Sequence, residues 1–166
     1  MPGLILFFYG ILLFSIQTSL VDKLAISGVT PDFALIATVF CAVTFSPGRG
    51  FAAGCVLGFV QDCLSGGLLG VNTLSKSLIA HTFCQLKGKI LVEGPIPIFV
   101  FLLIASIFDS LVFYGSSLLL FQNPPPLENF LGNMPLYVLY NAIVGPLIIM
   151  FFNRNFQWWN KKLQSS

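Results

Sequence analysis

Charge is scarce in this sequence. Only 8% of its 166 residues are Asp, Glu, Lys or Arg, against roughly 25% in a typical soluble domain. A water-facing surface cannot be covered at that level, so most of the exterior has to meet lipid. Histidine occurs once, as His81, which excludes a multi-histidine metal centre. Cys41, Cys55, Cys63 and Cys84 show no C-x-x-C spacing and fall in or beside apolar runs. They read as small buried residues, with neither a disulfide framework nor a zinc site. H-E-x-x-H, G-x-S-x-G and the P-loop are all missing. The net charge of +2 comes without a basic stripe, so nucleic acid is not an expected partner. No cofactor is implied, and the 18 phenylalanines are explained as lipid-facing and inter-helix filling.

What the chain does have is apolar length. Hydrophobic residues make up 56% and the mean hydropathy is +0.90. The fold class that follows is an all-α integral membrane protein, one compact transmembrane domain over 1–166 with about six helices. The expected spans are 4–21, 30–45, 50–64, 71–86, 97–121 and 134–152, with 153–166 as an interfacial tail carrying Arg154, Trp158, Trp159, Lys161 and Lys162. In the second span Thr30 is the expected N-cap, Pro31 suits the first helical position, and Asp32 lies near the positive end of the dipole. Ser46-Pro47-Gly48-Arg49-Gly50 reads as a turn. Spans three and four are short for the hydrocarbon core and imply tilt or a re-entrant path. With the N-terminus inside, Arg49, Lys87, Lys89, Arg154, Lys161 and Lys162 fall on the cytoplasmic side, leaving Lys23 and Lys76 outside. The positive-inside rule therefore puts both termini in the cytoplasm of a multi-pass protein.

Gly50, Gly54, Gly58 and Asp62 recur every fourth residue, on one helical face. Small residues at this spacing let two backbones approach closely where lipid supplies no hydrophobic drive. Leucine at Gly54 or Gly58 is expected to disrupt that approach, and alanine at the same sites to be much milder than leucine. Asp62 has three readings: it bonds backbone N–H groups of the Ser65–Gly70 turn, it pairs with Lys76, or it belongs to a ligand or partner site. An amide at that position is expected to be tolerated. Asp109, in the middle of the fifth run, is an intramembrane polar site by default, and His81 is the other candidate for such a site. The alternative is a protonated acid bonded to Asn141, Thr38 or His81. Asp62 and Asp109 could together form a carboxylate dyad, but neither has the flanking residues of an intramembrane aspartyl protease. No catalytic residue is assigned, and the chain is not read as an enzyme.

From Pro31-Asp32-Phe33 to Leu74 the sequence resembles the MreD family of rod shape-determining proteins. The likeness lies in the Pro-Asp helix start, the glycine-spaced helix, Gly58-Phe59-Val60-Gln61-Asp62, Ser65-Gly66, and Leu69-Gly70-Val71-Asn72-Thr73-Leu74. Thr73 stands where the family usually has alanine. The resemblance implies a non-catalytic scaffold of the cell-wall elongation machinery in the bacterial inner membrane. It implies contact with membrane lipids and an MreC-like single-span protein, and indirectly with MreB-like filaments and the RodA–transpeptidase synthase. A homodimer is left open. It also implies a bundle similar to the substrate-binding subunits of energy-coupling-factor transporters. The alternative function is thus a small-molecule (vitamin-like) binding membrane subunit of a transporter.

The topology can be tested by labelling. Single cysteines at Ser165 and in the 123–129 loop, on a cysteine-free background, should react from opposite sides of the membrane. Reaction of both with an impermeant reagent in intact spheroplasts would sink the assignment of an even number of spans with internal termini.

Overall fold

The computed structural model describes residue 25 and residues 28–65, 69–87, 94–121 and 124–164, with side chains as far as 150. Apart from their connections, these residues form five helices: α1 (Phe33–Thr44), α2 (Pro47–Ser65), α3 (Val71–Leu86), α4 (Pro95–Leu120) and α5 (Leu127–Gln164). The expected helix over 4–21, and Gly66 of the turn motif, lie outside the described residues.

Proline decides where several helices start. Asp32, not Thr30, is the N-cap of α1: its side chain accepts a hydrogen bond from the Leu35 N–H, so the helix opens after Pro31 rather than through it. Ser46–Gly50 is not a free turn. Pro47 opens α2, where its missing N–H costs nothing, and Gly50 N–H already donates to the Ser46 carbonyl at 2.8 Å. Pro95 likewise opens α4, behind Gly94 at φ 100°. The last helix begins at Leu127 instead of 134, because the Asn129 and Phe130 N–H groups close on the Pro126 carbonyl. It contains Pro135 and Pro146 and stays helical through the expected tail to Gln164.

The pairings fix the directions. Asp32 meets Lys76 and a Cβ on Gly50 would touch both Ala42 and Cys84, so α1 and α3 run parallel with α2 antiparallel to both. Lys76 reaches Asp109 and Phe83 packs on Phe101 at 5.1 Å, which makes α4 antiparallel to α3. Tyr114 stacks on Phe130 at 4.3 Å and Asp109 meets Tyr137, turning α5 back again. Helix α1 contacts all four others. At 12 residues it is about 18 Å long, and Leu35, Ile36, Val39 and Ala42 are almost wholly enclosed. It is the central post of the bundle.

Its neighbours show apolar side chains outward. Ile104 and Leu111 on α4, Leu139, Ile143 and Leu147 on α5, and Val56 and Phe59 on α2 are all exposed. The stretches Pro95–Leu120 and Leu127–Met150 are long and apolar enough to cross a membrane. Polar side chains are instead enclosed, among them Asp32, Thr38, Asp62, Ser75, Lys76, Ser106, Asp109 and Asn141.

The only buried residues of α2 are Gly50, Gly54, Gly58 and Asp62, the spaced stripe itself. A Cβ on Gly54 would lie 2.5 Å from the Ala80 Cβ and 2.9 Å from the Lys76 carbonyl oxygen. On Gly58 it would lie 2.6 Å from the Asn72 carbonyl oxygen and 2.7 Å from the Thr73 Cα. Backbone cannot step aside as a side chain can, so at Gly58 even alanine should carry a cost. Gly58→Ala should destabilise the protein by about 1–3 kcal/mol, and Gly58→Leu by more. Gly48→Ala, with open space around it, is the near-neutral control. Thermal unfolding in detergent measures all three; a wild-type midpoint for Gly58→Ala would contradict this close approach.

Candidate functional site

Five helices converge on one buried ammonium. Lys76, early in α3, is fully enclosed. Its Nζ donates to Asp32 Oδ2 at 2.9 Å, Asp109 Oδ1 at 2.9 Å and Asn72 Oδ1 at 3.0 Å. An ammonium has three hydrogens, and each has an acceptor. Asp32 is held from the other side by the Leu35 N–H on Oδ1 at 2.9 Å and by Gln61 Nε2, from α2, on Oδ2 at 3.1 Å. Its own N–H donates to Asn141 Oδ1 on α5 at 2.7 Å. Asp109 receives the Ser75 hydroxyl at 2.6 Å and the Tyr137 hydroxyl at 2.7 Å. The same Tyr137 oxygen is 3.3 Å from Asp32 Oδ2. Two carboxyls thus share one lysine at the middle of α4. At the rim, Asn141 Nδ2 and Gln61 Oε1 are buried without a partner.

Asp62 is elsewhere and does different work. Its Oδ1 accepts the Asn72 N–H at 3.0 Å, and its Oδ2 accepts the Gly70 and Thr73 N–H groups at 3.0 and 2.9 Å. The Thr73 hydroxyl adds a bond of 2.6 Å. These are the orphan donors at the start of α3, which has no side-chain cap of its own because Gly70 precedes it with φ 98°. The proposed pair with Lys76 does not form; that lysine turns instead to Asp32 and Asp109. Ser65, at the end of α2, donates to the Asp62 carbonyl at 3.4 Å.

The chain matches the family described as rod shape-determining protein MreD over residues 1–157. It belongs to the MreD family. No curated protein and no solved structure matches it. As a member of this family it is a rod shape-determining membrane protein, and its two long apolar helices fit insertion.

The polar residues singled out in the sequence therefore divide into three places. Asp32, Lys76 and Asp109 come together, with Pro31 buried beside them in sequence. Asp62, Ser65 and Gly70 lie where α2 ends and α3 begins. His81 joins neither: it is exposed, 2.6 Å from Gln85 and edge-on to Phe51. It lines an open cavity of about 370 Å³ with Pro47, Gly48, Phe51, Cys84 and Gln85. Thr38 and His81 were candidate partners for Asp109, yet Lys76, Ser75 and Tyr137 hold it. At the same end as His81, Lys87 donates to the Thr44 and Phe45 carbonyls at 2.7 and 2.6 Å, capping the end of α1 with positive charge.

Sequence reasoning overlooked Tyr137. A signal was available: Tyr137, Asn141 and Gly145 repeat every fourth residue on α5, like the glycines of α2. A Cβ on Gly145 would collide with Leu102, so this second stripe also faces a neighbouring helix.

Both Asp62 oxygens accept from backbone N–H groups, whereas an amide offers one oxygen. Asp62→Asn therefore faces an NH2 against at least one N–H, and the expected tolerance of asparagine gives way to an intermediate loss of about 1–3 kcal/mol. Asp62→Leu should lose more, because every donor is stranded. Protein abundance in membranes and unfolding in detergent report the order wild type, Asn, Leu; equal Asn and Leu variants would contradict the capping role.

Proposed function

We propose that this chain is a non-catalytic scaffold of the cell-wall elongation machinery in the bacterial inner membrane. In this reading it binds an MreC-like single-span protein and, through it, supports MreB-like filaments and the RodA–transpeptidase synthase in lateral peptidoglycan synthesis. Family membership supports the role in shape. The observation that carries the scaffold reading is the direction of the polar groups. Among the described residues, the charged side chains inside the bundle are spent on one another and on backbone donors, while the outward helix faces carry many apolar side chains. Such a body presents fixed helix surfaces, and membrane helices associate by packing.

The proposal includes about six spans, with the first over 4–21, and a bundle similar to transporter substrate-binding subunits. Exposed Arg49 and Lys87 lie at the same end of the bundle, and the basic residues 154, 161 and 162 belong to the last turns of α5, which runs toward that end. This grouping supports a cytoplasmic location for that end and for both termini.

A vitamin-binding subunit would need polar groups converging on a cavity. The central cluster is filled by its own side chains, and the cavity at His81 is open and mostly apolar in its lining. Purification of the native protein in mild detergent separates the two functions. The scaffold should bring an MreC-like protein with it. Recovery of a transporter energising module, without any component of the elongation machinery, would overturn it.

A further inference from the structure

The hydroxyl of Tyr137 lies 2.7 Å from Asp109 Oδ2 and 3.3 Å from Asp32 Oδ2. A phenol has one proton to donate, so it cannot donate to both acids at once. Around it, one ammonium faces two carboxyls. Were both acids ionised, the enclosed cluster would carry an uncompensated negative charge at the middle of an apolar helix, an expensive place for it. One further proton resolves both problems.

We propose that the Asp109–Tyr137–Asp32 chain is a proton-binding site, holding one proton shared by the two carboxyls through the phenol. In one arrangement the Asp109 carboxyl donates to Tyr137 Oη, and Tyr137 donates to Asp32 Oδ2, which remains the counter-ion of Lys76. In the mirror arrangement the Asp32 carboxyl donates to Tyr137 and Asp109 is the counter-ion. The proton moves between them without any bond to carbon changing, and it belongs to the pair rather than to either residue. The cluster is then neutral, and the phenol both accepts one hydrogen bond and donates one.

Other charges do not intrude. From α1 the cluster is faced by Asp32, from α2 by Gln61, from α3 by Lys76 with Asn72 and Ser75, from α4 by Asp109 and from α5 by Tyr137 and Asn141. Asp62 is turned to the start of α3, and Lys87 lies at the far end of α1. The inference holds whichever partners the protein binds.

Infrared spectroscopy of the purified full-length protein at neutral pH tests it directly. The wild type should show the carbonyl stretch of a protonated carboxyl, shifting in heavy water. Asp109→Asn and Asp32→Asn should each abolish that band, since one acid then faces one ammonium. The Asp109 variant is expected to fold: its amide keeps an oxygen for Lys76 and Ser75 and an NH2 for Tyr137, the pattern of the protonated acid. Tyr137→Phe should keep the band but move its frequency. Lack of a band in the wild type, its survival in Asp109→Asn, or an unmoved band in Tyr137→Phe would each overturn the proposal.

Discussion

Inside a membrane a lysine must find all its acceptors within the protein, and Lys76 does so at 2.9, 2.9 and 3.0 Å. Because those acceptors sit on α1, α3 and α4, and Asp32 and Asp109 are in turn gripped from α2 and α5, one ammonium sets the mutual depth of five helices. Apolar packing alone leaves helices free to slide, since lipid tails are as good a solvent for leucine as another helix is. A buried ion pair fixes register more firmly than it adds stability: removing one partner strands a charge and costs about 3–5 kcal/mol. Sliding α4 by one turn would do the same.

The glycines make that geometry reachable. Gly54 lets α2 come against the Lys76 carbonyl itself, and Gly58 lets it meet Asn72 and Thr73. At this separation Asp62 can cap α3 and Gln61 can reach Asp32. Larger side chains would move α2 outward and break contacts at both ends of the stripe. The largely enclosed α1 completes the arrangement: a helix of 12 residues is too short to face lipid across a whole membrane, but it suits a post whose N-cap meets the cluster and whose last carbonyls meet Lys87.

Local chemistry was the legible part. The stripe and the Asp62 turn depend on residues within a few turns of each other, and helical period plus capping rules suffice to connect them. The Lys76 pairings span 44 and 33 positions. Nothing in one sequence says which of three buried acids such a lysine will meet, and a pair with Asp62 is only one of the readings that residue allows. Tyr137 contacts partners 28 and 105 positions away and looked like one more membrane aromatic. Observed helix starts differ from the expected ones where Pro serves as a first helical residue instead of as punctuation, at Pro47 most plainly.

A bundle that spends its interior charges on itself has consequences for recognition. Partner helices meeting Val56, Phe59, Ile104 or Leu139 on the exposed faces encounter no ion pair to complete, so selectivity there has to come from shape and from the depth at which ridges and gaps occur. Depth is what the Lys76 cluster holds constant. In the proposed scaffold role, the polar core and the apolar exterior are two sides of one function: the first keeps the helices in register so that the second presents the same relief to every partner. Charge remains available mainly at the ends, where Arg49 is exposed. Contacts there can add orientation to a fit already determined within the membrane.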